Sequence, residues 1–325
     1  MKQRLHSLLR KCFVILVTFL TFHFTSYSQL AVGNYFEAGL SVGPMVFMGD
    51  LGGHFGRGTT FLKDYNMKAT KLSYGAYLTA HPSELIGFRL GLTYGQIEGD
   101  DAYITPKGGL ETARKNRNLD FRSQIVEGYI GAEIYPTVLL EDDPTSLTGR
   151  LRPYGVIGVG VFHFNPQGTY IDPNTGATTW VYLRPLHTEG EGFPEYPDRK
   201  MYSLTQINIP MGVGLKYYVN ESLNISFELL YRKTFTDYID DVSTTYIDPS
   251  LFDKYLSPGD ALIAKAIYNK SPLRSNTPGA DYAPGAKRGD PTQKDAYFTA
   301  AFKVGFRFGE GREWRNSTHC PLLRF

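Results

Sequence analysis

The chain has 325 residues, with 34 Lys plus Arg against 32 Asp plus Glu, two Cys and a mean hydropathy of −0.26. So polar an average excludes a bundle of membrane helices, and so small a net charge excludes the polybasic face that nucleic-acid binding needs. Two cysteines exclude a four-thiolate metal site.

At the N-terminus Lys2, Arg4, Arg10 and Lys11 precede an apolar run over residues 12–24, and the small residues Ser26 and Ser28 flank Tyr27. This is the pattern of a secretory signal peptide, residues 1–28, cut after Ser28. The run is shorter than the roughly 20 residues a transmembrane helix needs. Removing those four basic residues leaves 30 against 32 acidic ones, near −2, with Cys320 the single thiol. The 23 Tyr, 21 Phe and 34 Gly suit a wall that is greasy outside and polar inside.

Strand signals then follow one another by period-2 alternation. Phe36, Ala38, Leu40 and Val42 alternate with Glu37, Gly39, Ser41 and Gly43, and a Gly-rich loop begins at Gly49. Leu72, Tyr74, Ala76 and Leu78 alternate with Ser73, Gly75 and Tyr77. The turn His81, Pro82, Ser83 leads straight into Ile86, Phe88, Leu90 and Leu92, whose other face carries Gly87, Arg89 and Gly91, so these two runs predict a hairpin. After a polar loop over 99–118, a fourth strand over 119–136 turns Val126, Ile130 and Ile134 outward and Glu127, Tyr129 and Glu133 inward. The fifth, 151–164, is apolar on both faces, so its phase is ambiguous. Residues 165–200 read as a loop. The sixth strand sets Ile207, Ile209, Met211, Val213 and Leu215 against Asn208, Gly212 and Lys216.

The seventh, in the stretch 223–243, sets Ile225, Phe227, Leu229 and Tyr231 against Asn224, Ser226, Glu228 and Arg232. It runs on without a turn residue into Phe235, Thr236, Asp237, Tyr238, Asp240 and Asp241, a motif that cannot stay in hydrocarbon and must emerge into water at the outer rim. Residues 240–294 form the longest connection, in which Ser257 and Pro258 mark the start of a short helix. The eighth strand alternates Phe298, Phe302, Val304 and Phe306 with Thr299, Lys303, Gly305 and Arg307, and a basic tail, 311–325, follows.

Short and long connections alternate throughout. The expected fold is therefore all-β: a transmembrane antiparallel up-and-down β-barrel of about eight strands over 29–310, with long extracellular loops and short periplasmic turns. Eight strands enclose a space that side chains fill. The inward phase carries Glu37, Glu127, Glu133 and Glu228 beside Arg89, Lys216, Arg232, Lys303 and Arg307, a charge network expected to pair and plug the lumen. No pore is expected.

Candidate chemistry is sparse. Asp237, Asp240, Asp241 and Asp248 offer hard oxygen ligands that suit Ca²⁺, but their spacing fits no EF-hand, and capping of turns or pairing with Arg232 and Lys233 is the preferred reading. No metal, cofactor or small-molecule substrate is expected. Arg288, Gly289 and Asp290 spell an adhesion triplet that reads better as a loop turn. No GxSxG, HExxH, Walker or dinucleotide motif occurs, and His163 near the outer end of the fifth strand has no identifiable Ser partner, so no enzyme is expected.

The stretches FMGDLGG at 47–53, RPYGVIGVGVFHFNPQG at 152–168, IPMGVGLKYYVN at 209–220, RKTFTDYIDDVSTTYID at 232–248 and KRGDPTQKDAYF at 287–298 together resemble the PorG-like outer-membrane β-barrels of Bacteroidetes, components of the type IX secretion and gliding machinery. The resemblance implies residence in the outer membrane of a Gram-negative bacterium. It also implies a scaffold role, with outer-membrane lipid and periplasmic ring proteins of the PorK and PorN type as partners. Contacts would come from the short turns or from Arg312, Trp314 and Arg315 of the tail, since Trp and Arg dominate interface hot spots. The alternative is an outer-surface binding or adhesion barrel acting through its long loops.

Overall fold

The computed structural model describes residues 35–52, 67–104, 111–142, 144, 146–273 and 282–309. The signal peptide, the tail with Arg312, Trp314 and Arg315, and Cys320 lie outside the described residues.

Eight long strands close into one barrel: β1 (Tyr35–Met48), β2 (Lys71–His81), β3 (Ile86–Asp100), β4 (Asp120–Ile134), β5 (Leu151–His163), β8 (Thr205–Tyr218), β9 (Leu223–Thr234) and β10 (Ala296–Phe308). Every neighbouring pair is antiparallel, and β1 pairs with β10 to complete the ring. The register fixes the geometry. From Pro153 the ladder partners run through Leu215, Phe227, Phe302, Val42, Tyr74, Tyr94 and Val126 to His163, back on β5. One circuit thus climbs from position 153 to position 163, a shear of 10 residues. Eight strands with that shear tilt by about 41° to the barrel axis, so each residue rises about 2.5 Å along it.

The outward phase is a greasy belt: Leu40 is 68% exposed, Ile130 66% and Phe302 65%. Among the described residues no helix is long and apolar enough to cross a membrane. The ambiguous fifth strand turns Arg152, Tyr154, Val156 and Phe162 inward and Ile157, Val159 and Val161 outward.

Residues 165–200 are more than a loop. They contain the hairpin β6 (Gln167–Ile171) and β7 (Thr178–Tyr182), which joins the barrel sheet where Gln167 meets Arg122 of β4. The connection before β10 holds two helices rather than one, α2 (Ser250–Tyr255) and α3 (Pro258–Tyr268), and a further short helix, α1 (Glu111–Arg117), lies nearer the N-terminus. Ser257 caps α3, its hydroxyl accepting from the Asp260 N–H at 3.2 Å, with Pro258 in the first turn.

The β1–β10 seam is tight at Gly43. A Cβ there would lie 2.0 Å from the Ala300 carbonyl oxygen and 2.7 Å from the Ala301 Cα, both backbone atoms. Gly43→Val is therefore expected to destabilise closure by about 3 kcal/mol or more, the upper range for overpacking. A smaller fraction of compact, fast-migrating protein in unheated gels after refolding in detergent would register this.

Candidate functional site

The inward residues form three layers. At the short-turn end Glu84 receives Arg152 at 2.7 Å and Arg307 at 2.8 Å. Arg152 also holds Glu141 and the Pro144 carbonyl, each at 2.6 Å. The Arg307 guanidinium lies 3.5 Å from the Tyr35 ring centroid. In the middle Lys216 donates to Glu37 at 2.9 Å and to the Tyr135 hydroxyl at 2.7 Å. Arg89 bridges Glu133 and Glu228, the latter at 2.7 Å, and Lys303 reaches Glu228 at 2.9 Å. Above them Arg232 pairs with Glu127 at 3.1 Å, and Asn208 donates to the same carboxylate at 2.7 Å.

The structure therefore brings Glu37, Arg89, Glu127, Glu133, Lys216, Glu228, Arg232, Lys303 and Arg307 into one lumen, each less than a tenth exposed. Reading the sequence alone misses Glu84, Glu141 and Arg152. Glu84 and Glu141 sit in turns, where no alternation marks a face, and Arg152 opens the strand whose phase is ambiguous. With them the interior holds six cations, Arg89, Arg152, Lys216, Arg232, Lys303 and Arg307, against five buried carboxylates, Glu37, Glu84, Glu127, Glu133 and Glu228, while part-buried Glu141 at the short-turn end is shared by Arg152 and Arg150. Each buried cation thus has a carboxylate partner. Tyrosines fill the gaps: Tyr77 donates to Glu37 at 2.9 Å and Tyr154 to Glu228 at 2.8 Å. A cavity of about 20 Å³ beside Glu228, Arg232 and Lys303 has room for one water.

Over the charged layers lies an apolar one, Met45, Phe47, Ile97, Phe121, Ile125, Phe162 and Phe164, continuous with Leu183, Phe193, Ile239, Ile247, Phe252 and Ala264 of the loops. The described parts of the long connections thus form a folded cap that shares a hydrophobic core with the barrel mouth. Arg117 ties it together, donating to Asp101 at 2.8 Å, to the Asp50 carbonyl at 2.7 Å and to the Arg288 carbonyl at 2.5 Å. Arg288 is itself buried on Glu189 at 2.9 Å, so the Arg288-Gly289-Asp290 triplet is a structural turn.

The rim motif needs correcting. Phe235 is half exposed, but Thr236, Asp237, Asp240 and Asp241 do not emerge into water and are buried beneath the cap, with Tyr238 partly buried. Nor do these carboxylates pair with Arg232 or Lys233. Asp240 accepts the Leu51 and Val242 N–H groups at 3.0 Å each, Asp241 accepts the Thr188 hydroxyl at 2.5 Å and the Tyr202 hydroxyl at 2.6 Å, and Asp237 accepts the Ser243 hydroxyl at 2.6 Å. The second oxygen of Asp237 has no partner. Asp248, at the surface, accepts the Ser250 N–H at the start of α2. Burial holds the carboxyls of Asp237, Asp240, Asp241 and Asp295 above the ordinary range, Asp237 at about 8 and Asp241 at about 6. Among the described residues no cluster of three or more His, Cys, Asp or Glu is arranged to hold a metal ion.

His163 faces outward and its Nδ1 lies 3.1 Å from the Thr205 hydroxyl. It points away from the lumen, and no Ser–His pair forms there among the described residues.

These features define a closed, capped transmembrane β-barrel filled by its own side chains. No family model matches the chain, and no curated protein does. Among solved structures it is similar to Neisserial surface protein A, with 9% identity, 85% of this chain and 97% of that one covered, and a TM-score of 0.33. The attachment invasion locus protein of Yersinia pestis, bound to a heparin analogue, shares 8% over 84% and 99% at 0.33. The N-terminal barrel of Pseudomonas aeruginosa OprF shares 10% over 85% and 100% at 0.30.

Two outcomes test the site. Arg89→Leu strands Glu133 and Glu228 in a low dielectric and should cost about 3–5 kcal/mol, lowering the urea midpoint without opening a conductance in planar bilayers. In the cap the sign runs the other way from an ordinary ion pair: a carboxyl whose folded value is raised stabilises the protonated fold, and that contribution is lost as pH rises toward about 8. Amide exchange over 238–246 should therefore accelerate beyond its intrinsic rate as pH rises from about 4 to about 8, and Asp237→Asn should reduce the excess.

Proposed function

We propose that the protein is a non-enzymatic outer-membrane anchor, a scaffold of the type IX secretion machinery that holds a periplasmic ring against the membrane. The sealed lumen carries this reading. With the interior paired and filled and the mouth capped, neither transport nor chemistry has a place inside, and function moves to the surfaces. At the short-turn end the 3-10 turn Pro136–Leu140 lifts Leu139 and Leu140 clear of the barrel, 67% and 85% exposed. The following residue, Glu141, is gripped by Arg152, which braces the turn. A rigid apolar knob of this kind suits a protein partner. The resemblance of the 232–248 and 287–298 stretches to PorG-like barrels directs the choice of that partner to a ring of the PorK and PorN type.

A pull-down of tagged protein from native membranes in mild detergent tests the proposal. Ring proteins should co-purify, and Leu139→Ser with Leu140→Ser should release them without lowering the amount of folded barrel. Recovery of the barrel alone from the wild type would favour the alternative, a surface-binding barrel acting through its cap.

A further inference from the structure

Where β9, β10 and β1 meet at the long-loop end, a depression of about 230 Å³ opens on the outside of the barrel, bordered by Tyr231, Asp50, Gln293 and Lys294. Lys233 stands beside it, across the ladder from Ala296 and in the outward phase. Lys233 lies ten residues above Leu223 on β9, which at about 2.5 Å of rise per residue is about 25 Å, the height of the apolar belt of such barrels. The two lysines thus stand where acyl chains give way to head groups.

Other outward cations at this rim are engaged within the protein. Lys71 pairs with Glu98 at 2.9 Å, and Arg122 donates to Gln167 at 2.9 Å and covers the Trp180 ring. Lys294 donates to the Pro291 carbonyl at 2.9 Å, and among the described residues neither Lys294 nor Lys233 forms an ion pair. A cation with its stem along apolar wall and its head at the interface is placed for a phosphate at that level. The remaining groups select further. Asp50 gives one oxygen to the Asp290 N–H at 2.6 Å and keeps acceptor capacity for a hydroxyl, while the Gln293 amide both donates and accepts. Beneath them Phe298, Phe302 and Phe227 offer a surface for an acyl chain.

We propose that this wall binds a phosphorylated, sugar-headed lipid of the surrounding leaflet, with its phosphate on Lys233 and Lys294 and its sugar in the depression. The inference rests on the membrane-barrel reading and is independent of any ring partner.

The test uses the full chain in phosphatidylcholine nanodiscs doped with bisphosphorylated lipid A or with the same lipid A dephosphorylated, followed by native mass spectrometry of the ejected protein. The wild type should retain the phosphorylated form about tenfold better. Lys233→Gln with Lys294→Gln should abolish the preference while inserting equally well, and Lys71→Gln should keep it. Equal retention of both glycolipids by the wild type, or an unchanged preference in the double variant, would overturn the site while leaving the barrel intact. Failure of the wild type to insert would instead overturn the membrane reading, and the site with it.

Discussion

Burying eleven charges inside a tube of eight strands is the constraint on which the rest depends. A carboxylate or guanidinium removed from water costs several kcal/mol unless a partner and further hydrogen bonds replace its hydration. The barrel meets this by chaining partners rather than isolating pairs: Lys216 links Glu37 to the Tyr135 hydroxyl, Arg89 links Glu133 to Glu228, and Lys303 shares Glu228. Each strand contributes to a network that exists only when all the others are in register. Breaking one member would strand its neighbours, so the interior specifies the shear as well as filling the space.

The cap obeys the opposite logic. Its carboxyls outnumber nearby cations, with Arg117 and Arg288 committed to Asp101 and Glu189. Asp240 and Asp295 accept from backbone donors instead, and Asp237 accepts the Ser243 hydroxyl on one oxygen. Salt bridges thus fill the membrane part, whereas the cap adds to its few ion pairs an apolar core and carboxyls whose burial favours the protonated form.

How much of this is legible in the amino-acid order follows from where periodicity exists. Where one face meets lipid and the other the lumen, alternation by itself marks Glu37, Arg89, Lys216 and Lys303 as inward. It fails where that contrast vanishes. Arg152 opens a strand apolar on both faces, and Glu84 and Glu141 sit in turns. The cap leaves no periodic trace because loops that pack on each other obey no common repeat, which is why Asp240 and Asp241 read as water-facing. Two local signals do survive: Ser257 and Pro258 mark the start of α3, and the runs QGTYI and TTWVY around the turn-forming DPNTGA are enough to reveal β6 and β7, although they pass for loop when only the barrel rhythm is followed. The scaffold role, by contrast, comes from resemblance and from the sealed interior, since no side-chain constellation spells it out.

The seam between β1 and β10 joins the first strand of the chain to the last, Phe36 opposite Phe308. Every other barrel contact could form as the polypeptide arrives, but this one waits for the whole sequence. Until β10 docks, β1 and β9 present open edges and the charged interior has a slit to its surroundings. The barrel is therefore latched rather than zipped. Its biogenesis has a single irreversible-looking moment, late in insertion, at which an edge that invites any passing strand is replaced by a ring that has none.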